Sequence, residues 1–574
     1  MMNTKMAGML VPVFALRSKN DLGIGDTLSL INCIDFCARH NITILQVLPI
    51  NETGPDNSPY NALSSQAHDP VLLAMTSDMV PGLTESMVLA EQESLPANFA
   101  CETSVNYPIV KKLKLNLLKK AYVAFVGSKN KALKDFATFK KNQKKWLDSY
   151  CLYRSLLVLN NDNMVWTDWD NIYQEVTTAR QARDSYVKAH GLTDDIYLGD
   201  DFWAYVQFVA YEQWLKVYNH ASDKNIKLIG DLPFGVSRYS CDVWANKDLF
   251  DLEWSCGAPP ETYFQGDEFV SKWGQNWGMP LYDWTKQARQ KYAWWKNRVQ
   301  GILKFFHGYR IDHVLGFYRV YSFPWLPQAN NEFLELSLEE AKAKTGGKLP
   351  QFLPYSDEDE TQAKLNEKQG VKILKKIIEF SGDAIIIAED LGLVPDYVRP
   401  SLAKLGIAGF TIPQFERNED YTYKDPDTYP EGNLATYGTH DHDPLALFYD
   451  NLVKWWHGSD GRVGWLEVQR LMQFLGWDIN SPPVEFTIDL HQALLTRLFE
   501  TRCQYAVLNI SDIFGTRQRF NLPGSSNDSN WSQRLEMSLE DFENNDYYQN
   551  KINFLHNLIL KTQRNGINAF SLQR

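Results

Sequence analysis

Arg310 and Asp312 stand two residues apart in the run HGYRIDHVLGF at 307–317. On an extended strand, residues i and i+2 face the same side, so a guanidinium and a carboxylate share one face. The guanidinium favours the ionised carboxylate and would lower its pKa, which a nucleophilic carboxylate requires. Glu389 ends a second run, IIIAE at 385–389. Desolvation by that apolar run and a neighbouring carboxylate would raise its pKa towards that of a general acid working near neutrality. Paired carboxyl groups with pKa values pushed apart are the pattern of glycosidic-bond chemistry. His440 and Asp441, closing LATYGTHD at 434–441, add an imidazole and a third acid.

Other chemistries lack their residues. G-x-S-x-G and H-E-x-x-H are absent, as are G-x-G-x-x-G and G-x-x-x-x-G-K-[ST] after any apolar run. His440–Asp441–His442–Asp443 invites a metal reading, because alternate residues of an extended segment share a face. Pro444 follows at once, however, and no second cluster accompanies it, so no metal is expected. The seven cysteines (33, 37, 101, 151, 241, 256 and 503) are scattered, without a C-x-x-C pair, and suggest neither zinc nor a disulfide framework.

Eight short apolar runs position these residues, at 9–16, 42–50, 226–236, 307–317, 384–392, 407–415, 434–441 and 505–515. Continuous rather than alternating apolar character marks strands buried on both faces. Helix-periodic stretches precede or link them, at 28–40, 201–222, 284–306, 369–380, 396–404, 444–456 and 491–503. Eight strands alternating with helices predict an α/β fold, a closed (β/α)8 TIM barrel. An open doubly wound sheet is the alternative. In a barrel the site lies where strands end, and there the runs place Gln46, Asp231, Arg310, Asp312, His313, Glu389, Asp390, His440, Asp441 and Asp512. A lone acid at a strand end commonly caps a helix. This many, with an arginine and two histidines, point to one reactive rim.

The chain has 574 residues, 44% hydrophobic and 22% charged, so it buries a large core. It is read as one catalytic barrel over 1–574, with mostly helical insertions at about 51–198, 237–283 and 324–368. The last, with its acidic cluster at 357–360, is expected to be a mobile surface insertion. The net charge of −12 argues against nucleic-acid or anionic-membrane partners. Twelve lysines between 111 and 145 face one acid, Asp135. They form a solvated helix face or a docking patch for an anionic partner. Aromatic residues reach 13%, with 18 tryptophans, which suits either an aromatic core or sugar ligands. The start MMNTKMAGML carries no leader-like apolar stretch, and no run of about 18 apolar residues occurs, so a cytoplasmic protein is expected.

Taken together, GYRIDHVLGF, IIAEDLG and GTHDHDP resemble the catalytic blocks of the amylomaltases. These are 4-α-glucanotransferases of glycoside hydrolase family 77, in the α-amylase clan. The blocks LVPVFALRS, SPYNALSS, GDLPFGVSRYSCDVWAN, GQNWGMPLYDW, RFNLPG and NWSQR are similar to that family in order, across essentially the whole chain. The resemblance implies transfer of α-1,4-glucan segments to the 4-hydroxyl of a glucan or glucose acceptor, without a cofactor. It implies Asp312 as nucleophile beside Arg310, Glu389 as acid/base, and Asp441 with His440 on the 2- and 3-hydroxyls of the sugar in subsite −1. Tyr60 would cap that sugar, Asp231 would line the subsite and Trp277 would flank the groove. It also implies that no C-terminal β domain follows the barrel. The chain departs from the common pattern at HVLGF, where H-F-R-G-F is frequent, and at THDHDP, where T-H-D-N-D-T is. The segment 261–272 is longer than usual. A hydrolase on the same barrel and a non-catalytic glucan-binding protein remain the alternatives.

Overall fold

The computed structural model describes residues 4–96, 99–128, 131–260, 267–523 and 529–566. Its centre is a ring of eight short strands: β1 Met6–Leu10, β2 Ile44–Gln46, β3 Lys227–Leu232, β4 Gly308–Ile311, β5 Ile385–Ala388, β6 Phe410–Thr411, β7 Leu434–Ala435 and β8 Tyr505–Asn509. Every ladder is parallel, from β5 through β4, β3, β2 and β1 to β8, β7 and β6. The remaining seam, β5 to β6, is joined by a parallel bridge between Ile387 and Ala408. Ala388 N donates to Ala408 O at 2.7 Å, and Ala408 N to Ile386 O at 3.2 Å. The sheet therefore closes, and the fold is the (β/α)8 barrel rather than the open alternative. At the β4–β5 ladder a Cβ on Gly308 would lie 2.3 Å from Ile385 O, so that seam needs a glycine.

The strands are shorter than the apolar runs that announced them. The run at 9–16 becomes strand only at Met6–Leu10, because Pro12 has no N–H and a 3-10 turn, Val13–Ala15, follows. The run at 307–317 leaves the sheet after Ile311 and ends in a 3-10 turn, Val314–Phe317. The run at 505–515 turns helical at Ile510–Phe514. Continuous hydrophobicity reports burial, and the buried turns carrying the site are as dry as the strands. Helices form where periodicity placed them: Thr27–Arg39, capped by Asp26, and Asp200–Asp223, Val398–Leu405, Leu445–Trp456 and Ile488–Phe499. The stretch at 284–306 breaks into Trp284–Arg289 and Ala293–Ile302, with Lys291 and Tyr292 left-handed between them.

Within 51–198 lie helices Glu85–Gln92, Tyr107–Val126, Ala132–Leu159 and Val176–Ala189, around a core that includes Leu117, Phe125, Phe136 and Phe208. Several of the clustered lysines are absorbed there. Lys114 is buried and donates to Val71 O and Leu73 O, Lys111 donates to Gly54 O, and Lys120 and Lys140 pair with Glu91 and Asp201. Four short strands, Ser255–Ala258, Gln275–Asn276, Val320–Phe323 and Gln351–Leu353, form an antiparallel sheet beside the barrel mouth. The expected mobile insertion thus supplies a strand. In its acidic cluster, Asp357 pairs with Arg319 and accepts from Asn366 and Tyr397, and Asp359 caps helix Glu360–Ser381. Of the long segment at 261–272, residues 261–266 lie outside the described residues. After β8, helix Asp546–Lys561 packs on Ile488–Phe499 as part of the barrel core. The six cysteines with described side chains are free and buried.

Candidate active site

Arg310 is the hub. It lies on β4 between β3 and β5, in register with Asp231 and Ile387. One guanidinium nitrogen meets both oxygens of Asp231, at 3.0 and 2.8 Å. The other lies 3.0 Å from Asp312 Oδ1 and 4.0 Å from Glu389 Oε2. The arginine and Asp231 are sealed from solvent, whereas the Asp312 side chain stays 27% exposed at the mouth. One buried cation therefore joins carboxylates from three strand ends. Because Asp312 and Glu389 meet the same nitrogen, their facing oxygens lie no farther apart than those two distances combined.

Environment separates the carboxyl groups. Burial raises Glu389 to about 8; Asp312 and Asp390 add to the rise, and Arg310 and the His313 N–H oppose it. Burial likewise carries Asp231 to about 7, with Asp312 raising it further and Arg310 and Tyr60 opposing. At Asp441 burial is outweighed by His440, by the Asn521 hydrogen bond and by Arg310, so its carboxyl falls below the ordinary value. The environment thus raises Glu389 and Asp231 and lowers Asp441, and carboxyl groups pushed apart in this way suit acid/base work.

The expected binding residues also converge. Tyr60 donates to Asp231 Oδ2 at 2.8 Å, and its ring stacks on His440 at 5.1 Å. His440 Nε2 lies 3.3 Å from Asp441 Oδ1, and burial lowers its pKa. Trp277 stands edge-on to His313 at 4.9 Å. The H-D-H-D run does not act as one set. His442 turns to Thr439, and Asp443 pairs with Arg519 and Asn451. Three other strand-end residues serve the fold. Asp390 accepts from the Phe410 N–H and pairs with Arg399, Asp512 accepts from the Leu445 N–H, and Gln46 is buried in β2.

Two residues of the site carried no role in the sequence reading. Asn521 donates to Asp441 Oδ1 at 2.6 Å. Trp531 lies 5.7 Å from both Tyr60 and His440, with its carbonyl held by Tyr107. Both come from the chain after β8, which returns over the mouth. Their only signal was the pair of blocks RFNLPG and NWSQR, whose function depends on that return.

Comparison with known proteins bears directly on this arrangement. The glycoside hydrolase family 77 profile, described as 4-alpha-glucanotransferase, matches residues 11–539. The chain belongs to this family. Among curated members, the 4-alpha-glucanotransferase of Chlamydia caviae is 30% identical over 566 residues, covering 95% of this chain and 93% of that protein. That of Chlamydia pneumoniae is 29% identical, covering 93% and 92%. Two solved structures share the fold. Amylomaltase from Streptococcus agalactiae in complex with acarbose has a TM-score of 0.73 at 21% identity, covering 98% and 99%. Amylomaltase from Corynebacterium glutamicum has a TM-score of 0.74 at 19%, covering 96% of this chain and 75% of that one. In this family member, no described helix is long and apolar enough to cross a membrane.

Proposed function

We propose that the protein disproportionates α-1,4-glucans with retention of configuration, through a glucosyl ester on Asp312. Asp312 attacks the anomeric carbon of a donor maltooligosaccharide while Glu389 protonates the departing 4-oxygen. The reducing-end fragment leaves. An acceptor's 4-hydroxyl then displaces Asp312 as Glu389 takes its proton, and two inversions restore an α-1,4 bond. Arg310, 3.0 Å from Asp312 Oδ1, holds that carboxyl in place as the nucleophile. Asp441 with His440 takes the 2- and 3-hydroxyls of the sugar in subsite −1, Tyr60 caps it, Asp231 lines the subsite and Trp277 flanks the groove. The observation that carries this reading is the single buried guanidinium against Asp231, Asp312 and Glu389. It supports an acid and a nucleophile acting on one anomeric centre, for which retaining enzymes keep the two carboxyl groups ~5–5.5 Å apart. Both steps are acid/base and nucleophilic work.

Incubation with maltotriose tests it. Transfer yields glucose and a ladder of longer oligosaccharides with almost no gain in reducing ends. A steady gain in reducing ends would mean hydrolysis instead. An unchanged product pattern in Asp312→Asn would remove the nucleophile assignment.

A further inference from the structure

Directly after Asp312 the backbone turns left-handed. His313 has φ 46° and ψ 57°, a region that Gly and Asn tolerate and β-branched residues avoid. Its N–H meets Glu389 Oε2 at 2.7 Å. The bonds around it allow little play: Asp312 N to Leu232 O at 3.1 Å, Val314 N to Glu389 O at 3.1 Å and Glu389 N to Ile311 O at 2.9 Å. Arg310 also approaches Oε2, at 4.0 Å, whereas among the described residues no hydrogen bond reaches Oε1. The His313 ring has partners of its own. It packs edge-on against Trp277, at 86°, and against Phe234 at 6.1 Å. Trp277 is itself anchored to the antiparallel sheet, its N–H on Cys256 O and its Nε1 on Gln275 Oε1. One residue therefore touches both the acid/base and the groove wall.

We propose that His313 is a positioning residue with two attachments. Its peptide N–H occupies Glu389 Oε2, which leaves the exchangeable proton on Oε1, and its ring fixes the angle at which Trp277 presents a sugar to that proton. The inference rests on the function proposed above. It accounts for a strained, non-glycine residue beside the nucleophile: the strain aims the N–H, and the side chain is needed for the wall. The groups facing Glu389 are Arg310, Asp312, Asp390 and this N–H, so loss of the N–H leaves the carboxylate less stabilised.

Three variants separate the attachments, assayed with maltotriose and with α-maltotriosyl fluoride. With the fluoride, the C–F bond breaks as the Asp312 oxygen–carbon bond forms. Fluoride departs with the bonding pair and needs no proton from Glu389. His313→Asn and His313→Gly keep the turn and lose the ring. Their first-turnover burst of fluoride keeps the wild-type rate, while the KM for a maltose acceptor rises roughly 3- to 10-fold, the size of one lost aromatic contact. His313→Val disfavours the turn. Its kcat/KM on maltotriose falls about 100-fold, as for a misplaced catalytic group. Its alkaline pH limb moves to higher pH, and the first-turnover burst of fluoride, which precedes the base step, persists. The proposal is overturned if Val behaves like Asn, if Val loses the first-turnover fluoride burst in step with maltotriose turnover, or if Asn and Gly leave the acceptor KM unchanged. A wild-type protein that releases fluoride but makes no ladder would refute the transfer function, and the inference with it.

Discussion

Tyr60 lies flat on His440, 10° from parallel with ring centres 5.1 Å apart, while its hydroxyl reaches past the histidine to Asp231. The tyrosine therefore does two separable things. Tyr60→Phe keeps the stack and loses a hydrogen bond to a charged acceptor, worth about 1.5–3 kcal/mol. The kcat/KM on maltotriose should fall roughly 10- to 100-fold with little change in Tm. Tyr60→Ala should lose more activity and also melt earlier. If the two variants match, the hydroxyl contributes nothing separate.

Arg310→Met strands the sealed Asp231 without its cation. Removing one partner of a buried pair costs about 3–5 kcal/mol. The loss should be largest at pH 8 and smaller at pH 5, where a raised Asp231 carboxyl takes up a proton and ceases to be a buried charge. Denaturant titrations at the two pH values check this, and an equal loss at both would refute it. Arg310→Lys should fold better yet remain far below wild-type activity, because an ammonium cannot serve the carboxylates as a fork does.

Glu389, raised from 4.5 to about 8, binds its proton more tightly folded than unfolded. Between those values the native state holds the extra proton, so stability falls as pH rises across that window. Glu389→Gln should remove this slope. Its Tm should equal the wild-type value near pH 4.5 and exceed it at pH 8 by a few degrees, because a chain of this length needs about 1 kcal/mol for each degree and the shift supplies a few. Wild-type kcat/KM should decline above about pH 8 as the proton donor is lost. A Tm difference that does not grow with pH would count against a buried, proton-bearing Glu389.

Asn521→Ala removes a donor that helps hold Asp441 ionised. The Asp441 carboxyl should then titrate at higher pH, shifting the acid limb of kcat/KM upward. At neutral pH the activity should fall about 10-fold, the weight of one hydrogen bond to a charged group. An acid limb that stays in place would mean Asn521 does not act through Asp441.

Gly370, inside helix Glu360–Ser381, tests the packing behind the site. Alanine there gains about 1 kcal/mol of helix propensity. Its Cβ, however, would stand 2.2 Å from the ring of buried Tyr318, and overpacking costs about 1–3 kcal/mol. The clash should win, and Gly370→Ala should lower Tm. A raised Tm would show that Tyr318 yields easily.

Local order and the principal acids were legible in the chain because each depends on near neighbours. Continuous apolar runs marked strands buried on both faces, and the Arg310–Asp312 spacing placed a cation and an acid on one side of β4. Burial of Glu389 followed from the isoleucines before it. Where the runs stop being strand was not legible, since buried turns such as 313–317 are as apolar as the ladder they leave. The clustered lysines looked like one surface feature, and only packing showed Lys114 to be a buried donor to two carbonyls.

Ring closure itself rests on Ile387 meeting Ala408, a pairing between runs of similar character that no local pattern specifies. Tertiary structure alone also decided that Arg310 serves three carboxylates, that Asn521 and Trp531 return from beyond β8 to complete the mouth, and that His313 lies between Glu389 and Trp277. These contacts join residues tens to hundreds of positions apart. Hydrophobic periodicity and side-chain spacing act over a few residues, so they set which groups reach the rim. Closure of the barrel sets which of those groups meet.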